Sequence, residues 1–141
     1  MRILFDTNVV LDVLLDRPPH AEVASRLLSE VDRKRIEGLL CATTVTTVSY
    51  LAGRVLGAPA ARKALHTLLG MFETAPVDHR VLSDALLLGF ADYEDAVLHE
   101  AARHAGAAGI VTRDAGGFAK ARLRIYAPGE LLKIVAALPA P

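Results

Sequence analysis

The chain has 141 residues and carries 16 lysines and arginines against 16 aspartates and glutamates, so it has no net charge with which to attract a polyanion from a distance. A hydrophobic fraction of 52% and a mean hydropathy of +0.34 exclude a disordered chain, and the length fits one domain, residues 1–141, around one core. The lone Cys41 excludes an intramolecular disulfide and a cysteine-based zinc site.

The opening run Met1-Arg2-Ile3-Leu4-Phe5 stops at Asp6-Thr7-Asn8, which reads as a short buried strand whose last residues emerge at the carboxyl edge of a sheet. A helical pattern begins at once in Val9 to Leu15, with Thr7 or Asn8 as its N-cap. Arg17-Pro18-Pro19-His20 breaks the pattern, and Ala24, Leu27, Leu28 and Val31 then mark a second amphipathic helix. That helix ends in the charged run Asp32-Arg33-Lys34-Arg35, read as a solvated helix end with a phosphate-contacting patch as the alternative. Gly38 to Ala42 is a second buried strand, and Thr43 to Leu56 is read as helix on the period of Val45, Val48, Leu51 and Ala52. Ala61, Leu65, Leu68, Leu69 and Phe72 line the next helix, Thr74 to Val77 is a weak strand, and Asp78 caps a helix from Val81 to Leu88.

The loop Gly89 to Asp95 enters a helix that runs from about Glu94 to His104, and Gly109 to Thr112 repeats the opening theme as a strand that runs into Arg113 and Asp114. Leu123 to Ala127 is an edge strand, and Pro128 starts a last helix. Strands alternating with helices call for an α/β fold with a mostly parallel sheet of four to five strands and helices on both faces. No segment approaches the ~20 apolar residues of a spanning helix. Asp6 also interrupts the first apolar run too early for a secretory signal, so a cytoplasmic protein is expected.

Two strands therefore end in a carboxylate, Asp6 and Asp114, and the helix between them opens with Asp92 and Asp95. Strand ends and helix starts lie along one edge of a parallel sheet, so these acids can meet at one site. Crowded carboxylates repel one another unless protons or cations compensate, and ligands that are all oxygen suit Mg²⁺ or Mn²⁺. Singly, each acid also reads as a helix cap or a turn residue.

The segments Ile3-Leu4-Phe5-Asp6-Thr7-Asn8-Val9-Val10-Leu11-Asp12, Asp92-Tyr93-Glu94-Asp95-Ala96 and Ile110-Val111-Thr112-Arg113-Asp114 resemble, in order and spacing, the three signatures of PIN-domain ribonucleases. The likeness is to the small prokaryotic branch that includes VapC-type toxins. It implies a three-layer α/β/α sandwich, a divalent metal site for Mg²⁺ or Mn²⁺, and hydrolysis of RNA phosphodiester bonds. By the same resemblance Asp6, Asp95 and Asp114 are metal-binding acids, Asp92 is an auxiliary acid, and Thr7 or Asn8 orients the first. An RNA substrate, a small antitoxin partner and a homodimer are implied with it.

One position departs from the family. Many members carry a glutamate on the third helix, where this chain has Thr47, which motivates an alternative reading as a weakened PIN module that binds RNA or a protein without efficient turnover. Arg113 either holds a phosphate or pairs with an acid. His99, one turn beyond Asp95, is either a proton carrier or a hydrogen-bonded structural histidine. Arg54, Lys120, Arg122 and Arg124 are read as surface charge, with contacts to an RNA backbone as the alternative.

Overall fold

Side-chain alternation along the first strand sets the layers. The structure is a computed structural model that describes residues 1–139. It opens with β1 (Arg2–Phe5), in which Ile3 and Phe5 face one apolar cluster while Leu4 faces another. The chain continues through α1 (Thr7–Leu14), α2 (Ala21–Asp32), β2 (Glu37–Cys41), α3 (Ala42–Leu56), α4 (Ala58–Met71), β3 (Glu73–Ala75) and α5 (His79–Ala85). It closes with α6 (Tyr93–His104), β4 (Gly109–Val111), a short 3-10 turn at Ala115–Phe118, β5 (Arg124–Tyr126) and α7 (Pro128–Ala136). The result is a three-layer α/β/α fold, as the alternating pattern requires.

All the strand pairs are parallel, and the sheet order is β3-β2-β1-β4-β5. On one face Val9, Val10 and Leu11 of α1, Leu27 and Val31 of α2, and Leu131 and Val135 of α7 pack with Ile3 and Phe5. Phe5 meets Phe72 edge to face at 5.1 Å between ring centroids. On the other face Val81 and Ala85 of α5 and Val97, Leu98 and Ala101 of α6 cover Leu4, Leu39 and Ile110. Cys41 is a fully buried apolar residue of that second cluster.

The chain first adds strands on one side of β1 and then crosses to the other, so the direction of winding reverses between β1 and β4. Open α/β sheets hold ligands outside the strand ends at such a reversal. The register pairs Phe5 with Val111, which puts the residues that follow them, Asp6 and Thr112, side by side. The basic run after α2 is structural: Arg35 pairs with Glu30 at 3.3 Å and donates to the carbonyls of Val135 and Leu138 at 2.7 and 3.1 Å. It ties the end of α2 to the end of α7, where a cation also suits the helix dipole.

Candidate metal centre

The cap of α1 is not Thr7 or Asn8 but Asp6. Its backbone is extended, and its Oδ1 accepts from the Thr7 amide at 2.7 Å. The strand ends at Phe5 as expected, but the helix starts at Thr7, two residues before Val9, so Asp6 follows β1 directly and caps α1. Its second oxygen, Oδ2, accepts from the Thr112 hydroxyl at 2.7 Å and from Asn8 Nδ2 at 3.4 Å. Thr112, itself buried, also accepts the Asp114 amide at 3.0 Å. One hydroxyl therefore connects the two strand-end acids. Thr7 uses its hydroxyl elsewhere, against Thr44 Oγ1 at 2.9 Å.

Asp92 caps α6, with Oδ1 accepting from the Glu94 and Asp95 amides at 2.8 and 3.3 Å. Asp114 caps the 3-10 turn through the Gly117 amide at 3.3 Å. Asp6, Asp92, Asp95 and Asp114 line one cleft of about 360 Å³, together with Thr7, Asn8, Arg17, Glu94 and Arg113. The three acids Asp92, Asp95 and Asp114 also wall a neighbouring cleft that contains Phe90 and Lys120.

Burial, and after it the charge of the neighbouring acids, raises two of these carboxyls, Asp6 and Asp95. Burial pushes the Asp6 carboxyl above its ordinary value; the bonds from Thr112 and Thr7 pull it back, and Asp114 and Asp92 push it up again. Asp95 is pushed up to about 6, by burial first and then by Asp6, Asp92, Asp114 and Glu94. The raised value has a sign for stability. A carboxyl whose folded value lies above its ordinary 3.8 keeps its full contribution below that pH and loses it as the pH rises through about 6. Metal-free Asp95→Asn protein is therefore expected to be more stable than wild type at pH 8, by about 1 kcal/mol once water screening at this half-buried group is allowed for. Thermal melts with and without Mn²⁺ check this, and added Mn²⁺ should reverse the order.

Gly117 lets the carboxylates approach the backbone. A Cβ built there would lie 2.8 Å from Asp95 Oδ2 and 3.0 Å from Asp114 Oδ2. Gly117→Ala is expected to displace both acids and weaken Mn²⁺ binding about tenfold, with little change in melting temperature. Calorimetric titration with Mn²⁺ and a thermal melt separate the two effects.

The donor set fits a hard divalent cation. It is all oxygen, it is strongly anionic, and the two cations at its rim are occupied. Arg113 grips Asp12 through Nε to Oδ2 at 2.5 Å and Nη2 to Oδ1 at 3.1 Å, while Arg17 Nε reaches Oδ1 at 2.8 Å. Asp12, within the opening motif, is 1% exposed, and an acid in the middle of an apolar helix is the sequence signal of such a buried pairing.

The other expected residues do not line the cleft that holds all four acids. Thr47 is half-buried on α3 and does not line the cleft; the hydroxyl that reaches the first turn belongs to Thr44, one helical turn earlier. His99 is fully buried. Its Nε2 accepts the amides of Arg122 and Leu123 at 3.0 and 3.3 Å, which leaves the proton on Nδ1 facing Glu100 Oε2 at 2.8 Å. It is the structural histidine of the two readings, because α6 plunges into the core after its first turn. Lys120 donates to the Gly89 carbonyl at 3.0 Å, Arg54 to the Tyr50 hydroxyl at 3.2 Å, and Arg124 lies over the Tyr126 ring. A separate cluster of Asp84, Glu100 and His104 has Arg103 across it, bonded to Glu100 at 3.0 Å and Asp84 at 3.3 Å. One guanidinium thus bridges both carboxylates, and the cluster staples α5 to α6.

Comparison with known proteins shows the same fold in several solved structures. The FitAcB structure from Neisseria gonorrhoeae superposes with a TM-score of 0.66 at 21% identity, covering 90% of this chain and 98% of that one. VapBC2 from Rickettsia felis, solved on a DNA fragment from its promoter, gives 0.71 at 13% identity and the same coverages. Mycobacterium tuberculosis VapC20, described as a Sarcin-Ricin loop cleaving toxin, gives 0.62 at 16% identity over 77% of this chain and 86% of that one. No curated protein matches the chain. The family model for the PIN domain matches residues 2–116, and the chain belongs to that family.

Proposed function

We propose that this protein is a Mg²⁺- or Mn²⁺-dependent ribonuclease, and that it is the toxin of a toxin–antitoxin pair. The observation that carries the reading is the convergence of Asp6, Asp92, Asp95 and Asp114 on one cleft at the reversal point of the sheet. When bound, the cation supplies charge stabilisation for phosphoryl transfer and lowers the pKa of water. The chain's own residues arrange this. The Thr7 amide and the Thr112 hydroxyl hold both oxygens of Asp6, so that carboxylate meets its ligand without reorganising. Asn8 stitches the two strand ends together, with Nδ2 toward Asp6 and Oδ1 accepting the Arg113 amide at 3.3 Å. Asp95 holds a proton up to about pH 6 and gives it up when a cation binds, so metal affinity rises with pH through that region.

The test is cleavage of RNA by purified protein in Mg²⁺ or Mn²⁺. EDTA should abolish it, and RNA left intact under all metal conditions would overturn the reading. The toxin assignment is supported by the fold shared with a solved toxin–antitoxin complex from Klebsiella pneumoniae and with the toxin VapC20. It is also supported by the apolar side chains that α3 leaves exposed, Tyr50, Leu51, Val55 and Leu56, which suit an antitoxin helix or a second copy in a homodimer. An antitoxin would mask the acids, with an arginine inserted among them; light scattering reports the dimer.

The second reading, a weakened module that binds without efficient turnover, has in its favour that α3 brings no carboxylate to the site: Thr44 reaches Thr7 with a hydroxyl, and Thr47 does not line the cleft. Thr47→Glu is expected to lower the Mn²⁺ concentration for half-maximal cleavage about tenfold. An unchanged titration would show that α3 needs no ligand there, and robust multiple turnover by wild type would reject the weakened module.

A further inference from the structure

A pocket of about 270 Å³ lies on the far side of Arg113 from the acids, lined by Pro19, His20, Val23, Ala127, Pro128 and Gly129. It is formed where the start of α2 faces the start of α7, and Arg113 is the wall it shares with the acidic cleft. Its volume is just below the ~300–1,000 Å³ of pockets that hold drug-sized molecules, which suits one flat heterocycle. Most of its walls are apolar, Pro19, Val23 and Pro128, and the His20 ring makes no hydrogen bond to the described residues. An imidazole with both nitrogens free beside proline and valine can stack on a ring and hydrogen-bond to its edge.

Two arginines stand between the pocket and the acids: Arg113, which lines both, and Arg17, which lines the acidic cleft. Asp12, 1% exposed, is one carboxylate shared by two guanidinium groups, so the trio keeps one unit of positive charge. Arg113 spends two of its five N–H donors on Asp12. Arg17 spends one on Asp12 and one on the Asn8 carbonyl at 3.2 Å. Their side chains remain 30% and 38% exposed, so the other donors face solvent in a fixed fork, the geometry that matches a phosphate. Acids for a metal, an arginine pair and an apolar pocket thus follow one another along the edge of the molecule.

Resting on the ribonuclease reading, we propose that this pocket is a nucleobase subsite. It seats the base of the nucleotide next to the scissile phosphate while Arg113 and Arg17 hold that nucleotide's phosphate. A base stacked in a duplex cannot enter the pocket, so the nucleotide taken there is unpaired.

The test uses uridine and adenosine 5′-monophosphates added to the full chain in Mg²⁺, followed by nuclear magnetic resonance, with inorganic phosphate as the control. The mononucleotides should shift the His20 ring signals and the Val23 and Gly129 amides in a saturable way, and phosphate alone should leave those three unmoved. Gly129→Trp is the blocking variant: Gly129 lines the pocket and a Cβ there meets nothing within 4 Å, so a large ring is introduced at the pocket wall without a clash at its root. It should abolish the shifts and raise KM for RNA about tenfold with kcat within about twofold, because only ground-state binding is lost. Unmoved His20, Val23 and Gly129 signals, equal shifts with phosphate alone, or an unchanged KM in Gly129→Trp would overturn the subsite. So would shifts produced by protein concentration alone, which would assign the pocket to a second copy of the chain. Failure of the ribonuclease reading is distinct, since it would appear as uncleaved RNA while mononucleotides still moved the pocket signals.

Discussion

Asp6→Asn is expected to reduce metal-dependent RNA cleavage by about 10³-fold or more and leave the protein folded. The physical argument rests on what the asparagine keeps and what it removes. Its carbonyl oxygen can still accept the Thr7 amide and cap α1, and its amide can donate to Thr112 Oγ1 once that hydroxyl turns away. One negative charge is lost from the most buried of the four acids, and with it the oxygen proposed as a ligand of a divalent cation. Burial and the neighbouring acids already hold the Asp6 carboxyl above its ordinary value, so its neutral replacement is no threat to the fold without metal. The decisive comparison is cleavage, calorimetric Mn²⁺ binding and melting temperature on the same preparations. Lost cleavage with weakened Mn²⁺ binding and an intact melt supports the metal-centre reading, and undiminished cleavage would sink it.

Asp12→Ala is expected to have the largest effect on stability of any single change near the site. Removal of one partner from a buried ion pair costs about 3–5 kcal/mol when the charge left behind stays buried. Here the orphaned groups are the guanidiniums of Arg17 and Arg113, each about a third exposed, so they can turn partly into water and the expected loss is about 2–3 kcal/mol. For a domain of this size that is a fall of about 4–12 °C in melting temperature. The double variant Asp12→Leu with Arg113→Met should recover more than half of the loss, because an apolar pair of similar volume replaces the ion pair. It should not recover RNA affinity, since the fork that faces the phosphate is gone. Equal melting temperatures for wild type and Asp12→Ala would show that the trio contributes nothing to the fold.

Much of the framework was legible because it is local. An apolar run that stops at Asp6, another that stops before Asp114, and an acidic start to α6 are properties of a few neighbouring residues, and the alternation of strand and helix follows from their periods. Asp78 and Asp92 cap their helices as the sequence suggested. The cap of α1 was misplaced by a residue or two because Asp, Thr and Asn are all good caps, and only the backbone at Asp6 decides among them. The two readings of His99 were both compatible with its spacing from Asp95. Its environment depends on the Arg122–Leu123 segment, which is distant in sequence.

The sequence by itself determined that this is an α/β chain whose strand ends and helix starts carry acids, since both follow from short-range hydrophobic period and capping chemistry. It also carried the three motifs by which the PIN family is recognised. The order of the strands was left to the tertiary structure. Placing β4 beside β1 puts Thr112 against Asp6 and gathers the acids of three segments into one cleft. The same folding joins Asp12 to Arg113 across 101 positions of sequence, so an arginine that could equally have neutralised a site acid is gripped by a buried aspartate at the rim, with its remaining donors toward solvent. Contacts of that range depend on packing over the whole sheet edge, and no local pattern encodes them.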